Sequence, residues 1–594
     1  MAAAATSLLV LAACSVPSPG PLPTRSPSPS TTPSLSAELR LPDAPVTVLA
    51  DADPVTRAVA ASAALFIGAP VAVVAPVGDL TAQLRGAGLA VAVGGPLLLV
   101  AVDPAPVVAE LDRLGVAAVL TVGPVGRLDL GDVPVLAVPA DDVDAARLLA
   151  AAGTGTAPTP GPAVTAGGEV AAVAVLDPRA PVLPSAAPTP EPAPVDPGAD
   201  PGADPAPTTP STAPNPGSAP PSVDRPGGTS APTSSAQAAV LPRTDPAAAV
   251  GGGLVLATGD PAELAPVATA RAAGQPVVVV PGGDPRASAA TVAAVAAAQR
   301  DGPTSHLLAV GPGLGTPDRV AWTVATAATG VQLPGGGQLA LTGKRMVALY
   351  GTPVFAGLGL LGEQDLPAAI VRAQAQAAEY QALTTDVVVP AFEIIATVAS
   401  AGPGDDGNYS NELAADTLLP WVQAAGDAGM SVILDLQPGR TDFLTQAKAY
   451  EQLLRYPHVG LALDPEWRLA PDQVHLRQIG SVGIDEVNAV VTWLADLTRD
   501  NALPQKVLVL HQFMLRMIQE RERLDTSREE LTIVVHVDGQ GSQPAKAGTW
   551  AALQVGAPAG VRWGWKNFVD EDVPMLTPTQ TYQVVPLPDL VTYQ

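Results

Sequence analysis

The sequence predicts an α/β protein: two small three-layer units, then a C-terminal TIM (β/α)8 barrel, with disordered Pro-rich tethers. Three observations lead there. Continuous apolar runs alternate with Ala/Leu-rich helical stretches, as in parallel sheets covered on both faces. The last roughly 250 residues hold eight such runs, the length and strand count of a (β/α)8 barrel. Pro (66) and Gly (56) make up about a fifth of the 594 residues, a bias that marks long segments unable to bury a core. The chain is also acidic, with 31 Lys+Arg against 56 Asp+Glu and a formal net charge of −25. With no Lys/Arg-rich stripe it repels phosphate backbones, so nucleic acid is excluded as a partner.

Residues 1–14 read MAAAATSLLVLAAC, an apolar run ending in Leu11-Ala12-Ala13-Cys14. The run is too short to span a bilayer as a helix and reads as a signal peptide. It resembles the lipobox of bacterial lipoproteins. That resemblance implies lipidation at Cys14, attachment to the membrane by the multiple acyl chains that stable anchoring needs, and a place on the extracytoplasmic face of the cell membrane. Cys14 is the only cysteine, so a disulfide framework and a Cys-based zinc site are excluded. Residues 15–40 follow as a Pro/Ser tether, extended and PPII-biased. A second Pro-rich tract, 178–248, is expected to be a disordered insertion.

Two α/β units are expected at 44–155 and 165–335, the Pro-rich insertion falling inside the second. GGPLLLVAVDPAPVVAELDRLGVAAVLTVGPVG (94–126) and GGGLVLATGDPAELAPVATARAAGQPVVVVPGGDP (251–285) share one plan: apolar run, Asp-Pro break, helix, second apolar run, Gly. This pattern, with ELDRLG and VLTVGPVG in the first stretch, is similar over about forty residues of each half to the type-2 cell-wall-binding repeat of Gram-positive surface proteins, a Rossmann-like unit. The resemblance implies non-covalent binding to an anionic wall polymer. Neither GxGxxG nor GxxxxGK[ST] follows a strand, so no nucleotide cofactor is expected.

The barrel is expected over 343–594, after a Gly335-Gly336-Gly337 hinge. Its eight strand candidates are 346–353, 386–395, 431–439, 459–467, 506–513, 531–539, 560–568 and 589–594, with helical spacing at 366–383, 442–456 and 484–500. All seven Trp, all seven Tyr and five of six Phe lie beyond residue 320, so aromatic chemistry belongs to this domain. Function on a barrel is read at the C-terminal ends of its strands. Those ends supply Tyr350, Glu393, Asp435, Gln437, Asp464, Glu466, Trp467, His511, Gln512, His536, Asp538, Trp563, Trp565 and Tyr593. Residues two apart on a strand share a face, so Asp435/Gln437, Asp464/Glu466, His536/Asp538 and Trp563/Trp565 are expected to point into one mouth.

Carboxylates beside aromatic platforms suit sugars. Glycoside hydrolysis needs one carboxyl to protonate the leaving oxygen and a second group to assist at the anomeric carbon. Glu466 is expected to be the general acid, its pKa raised by Asp464; Glu393, Asp435 and Asp538 are candidates for nucleophile, base or hydroxyl binder. Tyr350, Gln437, Trp467, His511, Gln512, His536, Trp563, Trp565 and Tyr593 are expected to bind substrate. The domain looks like the broad group of (β/α)8 glycosidases, and Asp464-x-Glu466 is similar to the end of the chitinase-type DxxDxDxE motif, whose Glu is the acid. The expected protein is a monomeric, membrane-anchored lipoprotein of the cell wall whose partner is a cell-wall or capsular polysaccharide. A further alternative, a metal-dependent hydrolase or deacetylase using His511, His536, Asp538 and Glu393, is disfavoured because these residues come from three strands with no HxH or HExxH spacing, so no metal and no cofactor is expected. The rival reading is a non-catalytic envelope-binding lipoprotein with a degenerate barrel, because strand seven carries Lys566 and no Glu.

Overall fold

The computed structural model describes residues 34–151, 158–187, 241–300 and 304–594. Cys14, the expected signal peptide, the expected tether up to residue 33 and most of the Pro-rich tract lie outside the described residues. Among the described residues no helix is long and apolar enough to cross a membrane.

Two four-stranded parallel sheets form the N-terminal half. One runs Leu97–Val100, Val71–Pro76, Ala118–Thr121, Val135–Ala137. The other runs Val277–Val279, Gly253–Ala257, His306–Val310, Val46–Leu49. The division of the chain at residue 155 is therefore corrected: Val46–Leu49, expected in the first unit, pairs in parallel with His306–Val310 of the second, Leu49 opposite Val310. A four-residue apolar strand carries no local signal for its partner. Val182–Ala186, expected inside the disordered tract 178–248, is instead a strand that pairs in parallel with Thr159–Val164 and lies against the helix Leu80–Val93 of the first unit. A Cβ at Gly88 would lie 2.4 Å from the Val182 carbonyl oxygen, so only glycine allows that approach. One apolar core runs from Leu49 to Val310, and the Leu97 amide donates to Thr269 Oγ1 of the other sheet's helix layer (3.1 Å).

The C-terminal half is a closed barrel of eight parallel strands: Lys344–Gly351, Val387–Ala399, Ser431–Leu436, Val459–Leu463, Lys506–His511, Leu531–Val537, Arg562–Asn567 and Leu590–Tyr593. Closure is direct. The first strand pairs with the second, Tyr350 opposite Glu393, and with the eighth, Met346 opposite Leu590. Helices Leu366–Gln381, Ala415–Asp427, Ile484–Asp500 and Gln543–Gln554 cover the outside. Between the fifth and sixth strands no α-helix forms; short 3-10 turns flank the two-residue strand Ile518–Gln519, which pairs with Val482–Gly483. The charge run around 520–530 explains this, because it has no apolar stripe for a helix to bury; Arg523 and Arg528 pair outward with Asp485 and Asp496, while Arg521 is buried against Gln512 and the Leu553 and Val555 carbonyls.

Period-two alternation sorts every barrel strand into an outer and an inner face. Val347, Leu349, Phe392, Ile394, Val432, Leu434, Leu461, Leu463, Leu508 and Leu510 pack outward under the helices. Met346, Ala348, Val389, Ala391, Ile433, Ala462, Val507, Val509, Val534 and Leu590 fill the lower lumen, which Leu333, Ala340 and Leu341 close from below. The segment Gly335-Gly336-Gly337 is a clamped turn, which corrects the hinge. All three have positive φ, the Leu333 amide donates to the Gly337 carbonyl (2.8 Å), and the Gly337 amide to Gln332 Oε1 (2.7 Å). Arg286, 1% exposed, lies 4.3 Å over the Trp322 ring and pairs with Asp284, while Arg319 and Glu529 join the two halves of the chain.

Candidate active site

Above the apolar lumen, each of the eight strands contributes one inward polar residue. In order they are Tyr350, Glu393, Asp435, Asp464, His511, His536, Lys566 and Thr592, each two positions beyond an apolar lumen residue, or beyond Gly564 in the case of Lys566. Gln437 and Asp538 extend the same faces one step higher. Burial here is nearly complete: Glu393, Asp435, His511, His536 and Thr592 have no exposed surface, and Asp464 and Lys566 have 3% each. Glu466 and Trp467, in the turn Pro465–Trp467, are the half-buried members at the edge.

The hydrogen bonds define the charge states. His511 sets Nδ1 2.9 Å from Asp538 Oδ2 and Nε2 2.8 Å from Glu393 Oε1. The ring donates from both nitrogens only as an imidazolium. Burial opposes that charge, yet Glu393, Asp435 and the two hydrogen bonds raise the His511 pKa well above its ordinary value. His536 sets Nδ1 3.4 Å from His511 Nδ1 and Nε2 3.0 Å from Thr592 Oγ1. Burial and the His511 charge hold His536 well below the ordinary range, so it is neutral. Its ring lies across Gly564, where a Cβ would come 2.4 Å from His536 Cδ2.

Tyr350 OH donates to Asp435 Oδ2 (2.8 Å) and accepts from Gln437 Nε2 (3.3 Å). Lys566 Nζ sits 3.6 Å from the centre of the Tyr350 ring, a cation–π contact. Burial raises the Asp435 carboxyl to about 6, with His511 opposing and Glu393 adding to the rise. Asp464 is raised well above the carboxylate range, again by burial first. Burial also acts upward on Asp538, but the His511 hydrogen bond and charge outweigh it and hold the group low. Three buried oxygens accept no hydrogen bond: Glu393 Oε2, Asp435 Oδ1 and Asp538 Oδ1.

Glu466 is pushed up to about 7, by burial first and then by the Asp538 charge. The sequence reading assigned that effect to Asp464. Asp464 instead accepts the Glu466 amide through Oδ1 (3.2 Å), capping the turn that carries Glu466. Trp467 meets the His475 ring edge-on at 5.3 Å.

Four expected rim residues lie elsewhere. Trp563 and Trp565 take the outer parity of the seventh strand and pack on Trp550 of the covering helix, at 5.7 and 5.4 Å between ring centroids. Large aromatic surface gains more from the helix layer than from a polar lumen. Tyr593 also faces out, its OH 2.6 Å from Tyr380 OH on the helix Leu366–Gln381. Gln512 is turned away from His511 and organises the next loop, donating to the Met514 and Leu515 carbonyls and accepting from Arg521. Conversely, Lys566, which the sequence marks only as standing where strand seven has no Glu, and Thr592, which it does not mark, enter the site as the alternate-parity neighbours of Trp565 and Tyr593. Among the described residues, His511, His536 and Asp538 form a group whose ligand atoms all lie within 4.8 Å of one another.

No protein-family model matches the sequence, and no curated relative does. Among solved structures, Cwp6 from Clostridium difficile is similar over 61% of this chain and 64% of that one, at 14% identity and a TM-score of 0.29. At that score and identity the likeness assigns neither fold nor function to this chain.

Proposed function

We propose that the barrel is a glycoside-hydrolase-like site of a cell-envelope lipoprotein, with Glu466 as the proton donor to a sugar leaving group. One observation carries this reading. Glu466 holds its proton near pH 7 and is the half-buried carboxyl at the edge of a ring of fully buried acids. A general acid must be protonated at working pH and able to touch its substrate, and Glu466 meets both conditions. Behind it, Asp435 and Glu393 carry unpartnered oxygens, suited to sugar hydroxyls or to positive charge developing at the anomeric carbon. Trp467 supplies the aromatic face on which a sugar ring stacks. Turnover on this reading requires the loops over the ring to part, since Asp435 is fully buried.

The envelope placement rests on the lipobox-like end at Cys14 and on the repeat-like first unit. Anchored at the membrane, the chain would meet wall or capsular polysaccharide. The test is release of reducing ends from envelope polysaccharide by the purified full chain, with Glu466→Gln as the inactive comparison. The burial of Glu393, Asp435 and His511 favours a second reading, a non-catalytic glycan-binding barrel. Retained polysaccharide binding with no product from either protein selects that reading over the first.

A further inference from the structure

We propose that His511, His536 and Asp538 form a binding site for a divalent transition-metal ion, with zinc as the probe that fits best. The fold brings the three together. His511 pairs in register with His536 across the fifth and sixth strands, and Asp538 lies two residues beyond His536 on the same face. No spacing motif announces such a set, because neighbouring strands are separated by a whole loop in sequence.

Two of the three separations are those of ligands around one ion, and all three ligand atoms lie within 4.8 Å of one another. His511 Nδ1 lies 3.4 Å from His536 Nδ1 and 2.9 Å from Asp538 Oδ2. Zinc bonds of about 2.0–2.2 Å at tetrahedral angles put neighbouring ligand atoms about 3.3–3.5 Å apart, and octahedral angles about 3.0 Å. The far side of each ring is also held as metal-bound histidines are held: Glu393 Oε1 fixes His511 Nε2 and Thr592 Oγ1 fixes His536 Nε2. Such outer partners turn the free nitrogen toward the ion and raise its basicity. Without an ion, one proton on His511 Nδ1 serves both Asp538 and His536; an ion replaces that proton.

An independent feature, unpartnered buried carboxylate oxygen, also suits a cation. Asp538 Oδ1 is buried and accepts nothing, on a residue only 7% exposed, and Glu393 Oε2 next door is unpartnered with no exposure at all. Buried carboxylate oxygens without partners are costly, and a bound cation would offset that cost. Gly564 keeps the His536 ring free of a side chain that would displace it. Two nitrogens and one carboxylate leave a coordination position open, the pattern of sites that act on a bound molecule.

The proposal is read without any glycan, so it stands or falls apart from the hydrolase reading. The full chain is incubated with Zn²⁺, desalted and assayed for zinc by elemental analysis; Co²⁺ loading then gives a visible spectrum that reports imidazole ligation. About one zinc per chain is expected, with affinity lowered roughly 100-fold or more in His536→Gln and Asp538→Asn and about tenfold in Thr592→Val. Glu466→Gln should bind zinc as the unaltered chain does, which separates ion binding from proton donation. Zinc that washes out of the unaltered chain overturns the proposal. So do ligand variants, folded by circular dichroism, that hold zinc as tightly as the original. A Co²⁺ spectrum without imidazole ligation overturns it independently of any variant.

Discussion

Replacing Glu466 with Gln should remove turnover and yet stabilise the protein above pH 7. Burial and the Asp538 charge lift this carboxyl from 4.5 to about 7, so the folded protein binds the proton more tightly than the unfolded chain. The resulting stability is complete below about pH 4.5 and lost as pH rises to about 7. The full difference corresponds to about 3 kcal/mol, and solvent screening at the half-buried position reduces it to about 1–2 kcal/mol. Glutamine keeps the neutral form at every pH. The variant should therefore match the original protein near pH 4 and exceed it at pH 8, by roughly 2–8 °C in the barrel's unfolding transition. Removing a general acid lowers the rate by about 10²–10⁴-fold, and on the proposed reading the unaltered chain's rate should fall about tenfold per pH unit above 7. Thermal scans at pH 4 and 8, with reducing-end release measured from pH 5 to 9, check both arms. A variant less stable than the original at pH 8, or a flat rate between pH 7 and 9, refutes the assignment.

Gly564→Ala should push the His536 ring off Thr592 and cost about 1–3 kcal/mol, read by chemical denaturation together with the histidine NMR shifts. Tyr593→Phe removes the hydroxyl contact with Tyr380 on the outside of the barrel. It should cost about 1 kcal/mol while leaving polysaccharide turnover and zinc binding as they were; a loss of either would return Tyr593 to the site. Lys546 is 3% exposed and holds Asp572 Oδ2 at 2.6 Å. Lys546→Met leaves that buried carboxylate without its cation and should destabilise by about 3–5 kcal/mol, measured as a shift in the urea midpoint.

The eight barrel strands were legible because a strand buried on both faces is a continuous apolar run, and each run survives as a strand within a few residues of its expected bounds. Glu393, Asp435, Asp464, His511, His536 and Asp538 were legible as a rim because polar residues directly after such runs have little alternative but the open end of the lumen. The tryptophan pair misled for a related reason. Trp563-Gly564-Trp565-Lys566 alternates cleanly, but alternation does not say which parity faces in. The helix bearing Trp550 decided it by offering the indoles a packed apolar surface, which left Lys566 to turn inward over Tyr350. Val46–Leu49 shows the same limit at the scale of a domain. Its four residues specify a strand, and only the far end of the N-terminal half, at His306–Val310, specifies where it pairs.

Composition and periodicity thus determined the element types, the barrel and the acidic, imidazole-bearing character of its rim, since these depend on short-range patterns and on which groups tolerate burial. Tertiary structure alone decided the inward parity of the seventh and eighth strands, the sharing of one core by both N-terminal sheets, and the proton carried by Glu466. It also decided the approach of His511, His536 and Asp538. These depend on distances and desolvation between groups tens to hundreds of residues apart, and such terms come into being only when the sheet closes.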